Sequence, residues 1–275
     1  VNSRDVLVQV HIPKCAGTSV GAWLQESMVA GLFGGFARLY DDRTSYTEWD
    51  LWEAALHDRR VAAMSSHGIR RFPEQIGNRR LHYFTILRQP LDQFRSLVRY
   101  MLQERAGFHL PGEIARARDQ IAYMLAPDNE PELLLNAQTN HLALYSWCAA
   151  TGGRCDPEAM QSWAATDRAD YLRQRQDIAR QALTSFLAVG TVERLRQSMD
   201  VLRQRSMLVG IPLLSAAFVP RINVTALPTD DSADFEAAGA VGGRLYEALA
   251  DDRALYAFGT ELLAAAPELR LSRAN

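Results

Sequence analysis

Val6-Leu7-Val8-Gln9-Val10-His11-Ile12-Pro13-Lys14-Cys15-Ala16-Gly17-Thr18-Ser19-Val20 holds, in fifteen consecutive residues, a strand, a loop and the start of a helix. Val6 to Ile12 is an apolar run of strand length rich in branched side chains, and Pro13, with no amide to give a ladder, closes it. After Lys14, Cys15, Ala16 and Gly17, Thr18 and Ser19 stand where helix caps stand, and Val20, Trp23, Leu24 and Met28 recur at helical spacing.

The same grammar repeats downstream. Val61 to Ser65 reads as a buried strand running into His67-Gly68, and Leu81 to Leu87 as another that ends at Arg88-Gln89-Pro90. Pro90 suits a first helical turn, and Leu91, Phe94, Leu97, Val98, Met101 and Leu102 form one apolar stripe behind it. Phe186 to Val189, ending at Gly190, predicts a short strand followed by a helix through Val192, Leu195, Met199 and Leu202. Gly112 to about Gln181 and Leu245 to Ala266 carry helical spacing, and Ile222 to Asp234 reads as a surface loop. The expectation is one α/β domain over residues 1–275, a central parallel sheet flanked by helices, with a helix-rich C-terminal half.

Composition narrows the partners. The 275 residues are 48% hydrophobic and 23% charged, and 30 Lys plus Arg against 32 Asp plus Glu leave a net charge of -2. That balance supplies no bulk positive field for nucleic acid, so an anion site has to be local. No apolar run approaches the roughly 18 residues of a membrane span, and no leader is visible ahead of Val6. Cys15, Cys148 and Cys155 lack metal spacing and suit a reducing compartment, which points to a cytoplasmic protein, although Cys148 and Cys155 are close enough in sequence to bridge.

The first strand-to-helix junction is an anion cradle. Helix amides and the positive end of the dipole point at whatever lies above it, Gly17 permits close approach, Lys14 brings a full charge, and Thr18 and Ser19 bring hydroxyls. The spacing GxxxxGK[ST] is absent and Lys14 precedes the glycine, which counts against magnesium-dependent nucleotide hydrolysis. Arg88, at the end of the strongest predicted strand, can pair with a second phosphate in bidentate fashion, and Ser96 lies on the helix that follows. Two anion sites suit a ligand phosphorylated at both ends.

His11-Ile12-Pro13-Lys14-Cys15-Ala16-Gly17-Thr18-Ser19 resembles the phosphosulfate loop of sulfotransferases that use 3′-phosphoadenosine 5′-phosphosulfate (PAPS), especially the carbohydrate branch with its HIPK-x-x-GTS pattern. Leu87-Arg88-Gln89-Pro90 with Ser96 is similar to that family's second motif, in which the arginine and serine hold the 3′-phosphate. Ser66-His67-Gly68, Gln138-Thr139-Asn140, Val189 to Arg194 and Asp252 to Tyr256 also look like the family, while Cys15, Gln89 and Gln93 depart from it.

The resemblance implies a P-loop-like fold. It also implies transfer of a sulfuryl group from PAPS to a hydroxyl, on a carbohydrate or glycoconjugate, with adenosine 3′,5′-bisphosphate (PAP) as product and no metal. On this reading Lys14, Cys15, Ala16, Gly17, Thr18 and Ser19 hold the 5′ end, and Arg88 and Ser96 the 3′ end. Lys14 and His67 are the catalytic candidates, His67 as base, with Glu53 and Glu74 as alternatives to it. His67, Arg70 and Arg71 are candidates for meeting an acceptor. His11 and His82, inside predicted strands, read as packing residues. Two other functions stay open: a divergent P-loop kinase, and a nucleotide-binding module without catalysis.

Overall fold

The computed structural model describes residues 4–29, 36–39, 56–107, 135–151, 163–220 and 245–266. Its strands are β1 (Asp5–Val10), β2 (Phe36–Leu39), β3 (Val61–Ser66), β4 (Gln75–Ile76), β5 (Arg79–Leu87) and β6 (Ala188–Thr191). Its helices are α1 (Gly17–Val29), α2 (Pro90–Gly107), α3 (Ala137–Thr151), α4 (Ala165–Ser185), α5 (Leu195–Leu208) and α6 (Ala250–Ala264). The fold is α/β, as the alternation of strands and helices requires.

Five strands run parallel in the order β2-β3-β1-β5-β6, and the two-residue β4 pairs antiparallel with the start of β5. Strand β1 is therefore central, with Gln9 beside Ser65 on one side and Phe84 on the other. Burial on both faces explains its nearly continuous apolar sequence. Alternate side chains then serve alternate layers. Leu7 packs in one layer with Val20, Trp23 and Leu24 of α1 and Met199 and Leu202 of α5. Val6, Val8 and Val10 pack in the other with Leu142 and Trp147 of α3, Tyr171 and Leu183 of α4, and Leu255 of α6. Each large side chain sealed this way contributes about 1.5–3 kcal/mol of burial free energy.

The chain leaves β1 toward β2 and β3 on one side, and reaches β5 and β6 on the other. In open α/β sheets the crevice beyond the carboxyl ends of two strands that diverge like this is where ligands bind. Here it lies between the loop after β1 and the turn after β5.

Several boundaries differ from the sequence expectation. Strand β1 stops at Val10, which puts His11 and Ile12 in the loop. Strand β6 runs two residues later than Phe186–Val189 because Gly190 lies inside it. A side chain at 190 would meet Ser198 Cβ at 2.4 Å, so the glycine allows α5 to pack closely on the sheet. Gly112 to Leu134, Gly152-Gly153, Cys155, Glu53 and Ile222 to Asp234 lie outside the described residues, and with them the Cys148–Cys155 pairing. Among the described residues, no helix is long and apolar enough to cross a membrane.

Candidate functional site

The loop after β1 is tied down from three directions. His11 N donates to Ser66 O of β3 (3.3 Å), Gln93 Nε2 of α2 donates to Pro13 O (2.8 Å), and Arg88 Nη1 donates to Lys14 O (3.1 Å). Pro13 and Lys14 stand four residues ahead of Gly17 and Thr18, so their carbonyls are taken from the side while the first amides of α1 have no intrahelical acceptor. Lys14 (φ 63°) and Ala16 (φ 59°) both adopt the left-handed region without being glycine. Each costs about 1–2 kcal/mol, and such residues turn neighbouring N–H groups toward a common point suited to an anion. The bonds from Gln93 and Arg88 hold that conformation in place.

Lys14 Nζ lies over the ring of Tyr100, 4.2 Å from its centroid. Gln93, Ser96 and Tyr100 are spaced three and four residues apart on α2, so one helix face meets the loop, and half-buried Ser96 sits on it. Thr18 is exposed and Ser19 is buried. Cys15 departs from the role expected of it: its amide turns inward to Ile12 O (3.3 Å), and its buried thiol points at Gln138 Oε1, 3.8 Å away. Burial, and next the nearby Asp252, push that thiol well above its ordinary pKa, so it contributes shape to the loop and no donor to a ligand.

The missing side chain of Gly17 also serves the loop itself. A Cβ there would fall 1.7 Å from the His11 ring, so the missing side chain makes room for an imidazole. His11 and His67 stack with centroids 3.8 Å apart. His67 Nδ1 meets the carbonyl of His11 at 2.5 Å, which requires Nδ1 to carry the proton and leaves the lone pair of the neutral ring on Nε2. Sequence reasoning placed His11 inside the strand as a packing residue; the strand ends at Val10, and His11 stands in the loop instead.

Arg70 follows half-buried and Arg71 exposed. Glu74 lies elsewhere: its carbonyl accepts from Leu81 N beside β4, near the opposite end of β5 from Arg88. Six residues of strand separate Leu81 from Leu87, about 20 Å. Glu74 is thereby withdrawn as an alternative base.

The turn after β5 is built by distant segments. Gln138 of α3 brackets the Arg88 backbone, its Oε1 accepting from Arg88 N (2.9 Å) and its Nε2 donating to Arg88 O (2.8 Å). Gln89 Oε1 accepts from Asp92 N and so caps α2, while Gln89 N donates to Glu193 Oε1, and Tyr256 Oη donates to Glu193 Oε2, all at 2.9 Å. Asp252, wholly buried, accepts from Gln138 N (3.1 Å), Thr139 N (2.7 Å) and Thr139 Oγ1 (2.7 Å), capping α3. The four segments from Gln138, Val189, Asp252 and the β5 turn thus converge on Arg88. Among the described residues, no group of three or more His, Cys, Asp or Glu side chains is placed to hold a metal.

Burial sets unusual proton affinities around this site. It pushes His11 down to about 3, with the neighbouring His67 and Lys14 acting in the same direction, and it holds His141 well below its ordinary value, with Arg70 next in effect. It raises Asp252 to about 6, against the lowering effect of the Thr139 and Gln138 donors.

The signs give a stability prediction. Below pH 6.5 the unfolded chain protonates His11 and His141 while the folded chain refuses both protons, so stability falls with pH. Between 6 and 3.8 the folded chain takes a proton on Asp252 that the unfolded chain does not, which opposes one of the two histidines. One net proton amounts to about 1.4 kcal/mol per pH unit. Urea unfolding at pH 7.5, 5.5 and 4.5 should show stability decreasing as the pH falls. A flat or rising profile contradicts the neutral imidazoles.

No family model matches the chain, and no curated protein matches it in a sequence search.

Proposed function

We propose that the protein is a sulfotransferase of P-loop-like fold that binds PAPS across the β1/β5 crevice and passes its sulfuryl group to a carbohydrate hydroxyl. The observation that carries this reading is the bond from Arg88 Nη1 to Lys14 O, which joins the two strand-to-helix junctions into one surface. Lys14, the Gly17 and Thr18 amides and Ser19 would receive the 5′-phosphosulfate, and Arg88 with Ser96 the 3′-phosphate. The acceptor oxygen forms a bond to sulfur as the bond from sulfur to the phosphate oxygen breaks. The hydroxyl proton goes to His67 Nε2, and the charge left on the phosphate faces Lys14 and the helix amides. Arg70 and Arg71, a few residues beyond His67, would meet an anionic sugar.

Magnesium-dependent phosphoryl transfer, the competing use of such a loop, needs an acidic group near the metal. The strand beside the loop ends Ser65-Ser66, with His67 next, and carries no carboxylate there. Calorimetry distinguishes the two: PAP is expected to bind without metal and ATP with magnesium weakly, and the reverse order refutes the donor assignment. In the same assay Arg88→Ala should weaken PAP by about 2–4 kcal/mol, the scale for losing a paired charge. Unchanged affinity removes Arg88 from the site.

A further inference from the structure

We propose that Gln138 is a positioning residue for the donor's 3′-phosphate, acting through the backbone of Arg88; this rests on the sulfotransferase reading. Leu87 O is taken by Val192 N on the β6 side, so the N–H and C=O of Arg88 face the other way, beyond the point where β1 has ended at Val10. Two peptide groups there lack the neighbouring strand that would satisfy them. The primary amide of Gln138 replaces that strand, accepting from Arg88 N and donating to Arg88 O, at 1% exposure. Its own main chain is held by Asp252, so the bracket is anchored at both ends. The bracket decides where the Arg88 guanidinium stands, although Gln138 has no route to a ligand itself.

A merely structural glutamine would affect every ligand alike, whereas a positioning one acts on the group that Arg88 holds. Gln138→Met preserves volume and removes both bonds to Arg88, along with the longer Cys15 contact (3.8 Å). Calorimetry should then show PAP affinity falling about 10-fold, the usual effect of removing a group that orients a binding residue, with adenosine 5′-phosphosulfate, which lacks the 3′-phosphate, changed less than about 2-fold. Arg88→Ala with Gln138→Met should be no weaker toward PAP than Arg88→Ala alone.

Equal losses on both nucleotides, or an additive double variant, overturn the assignment. If Gln138→Met does not fold, Gln138→Glu, which keeps the acceptor and loses the donor, must show the same selectivity. A wild-type chain that binds no PAP defeats the donor reading and this role together. Wild-type binding with unselective loss defeats this role alone.

Discussion

Lys14→Ala is expected to lower kcat by about 10²-fold or more while leaving the fold intact. Sulfuryl transfer leaves negative charge on the departing phosphate, and removing one preorganised donor from such a position costs on the order of 10²–10³ in rate. The side chain contributes little to folding: it is half-buried and its ammonium lies on the Tyr100 face, a contact of about 0.5–1 kcal/mol where exposed. The left-handed backbone at 14 remains a burden on alanine as on lysine, so the loop geometry should persist. Turnover of labelled sulfate donor with a glycan acceptor pool, at saturating donor, measures the effect. A variant that retains wild-type kcat would take Lys14 out of the chemistry.

The largest stability effect is expected at Asp252. Asp252→Ala leaves the Gln138 amide, the Thr139 amide and the Thr139 hydroxyl without an acceptor in a fully buried place. Each stranded donor costs at least about 1 kcal/mol, so a loss of about 3 kcal/mol or more follows, or roughly 10 °C in Tm for a chain of this size. Asp252→Asn keeps the shape and one acceptor but turns an NH2 group toward an N–H, and should fall between alanine and wild type. Thermal unfolding followed by circular dichroism measures both. A change in Tm under about 2 °C for the alanine variant would mean that the α3 cap contributes nothing.

Much of the fold was legible in the sequence because its central strands are buried on both faces. Val6 to Ile12 and Leu81 to Leu87 announce themselves as apolar runs, although Pro13 and Pro90 each lie three residues beyond the strand ends at Val10 and Leu87. Strands β2 and β4 escaped notice for the opposite reason: four and two residues are too short to establish a period of two. Gly190 misled as punctuation because sequence alone does not reveal that Ser198 packs against it.

At the candidate site, the charged residues could be named in advance but their supports could not. Gln138 was noticed as part of a motif, yet the bracket it forms on Arg88 spans fifty residues and exists only once α3 has packed. The three departures from the sulfotransferase motifs that this sequence resembles have structural roles of the same kind: Gln89 caps α2, Gln93 holds Pro13 O, and Cys15 faces Gln138. His11 was misread because its strand appeared two residues longer than it is, which hid the stacked imidazole pair.

The bond between Asp252 and the start of α3 links residues more than a hundred positions apart. A ribosome extends the chain at roughly 5–20 residues per second, so the loop at Lys14 emerges many seconds before the carboxylate that steadies Gln138. During that interval the β1 and β5 junctions exist without their brace, and the nascent protein is expected to gain nucleotide affinity only after α6 has left the exit tunnel.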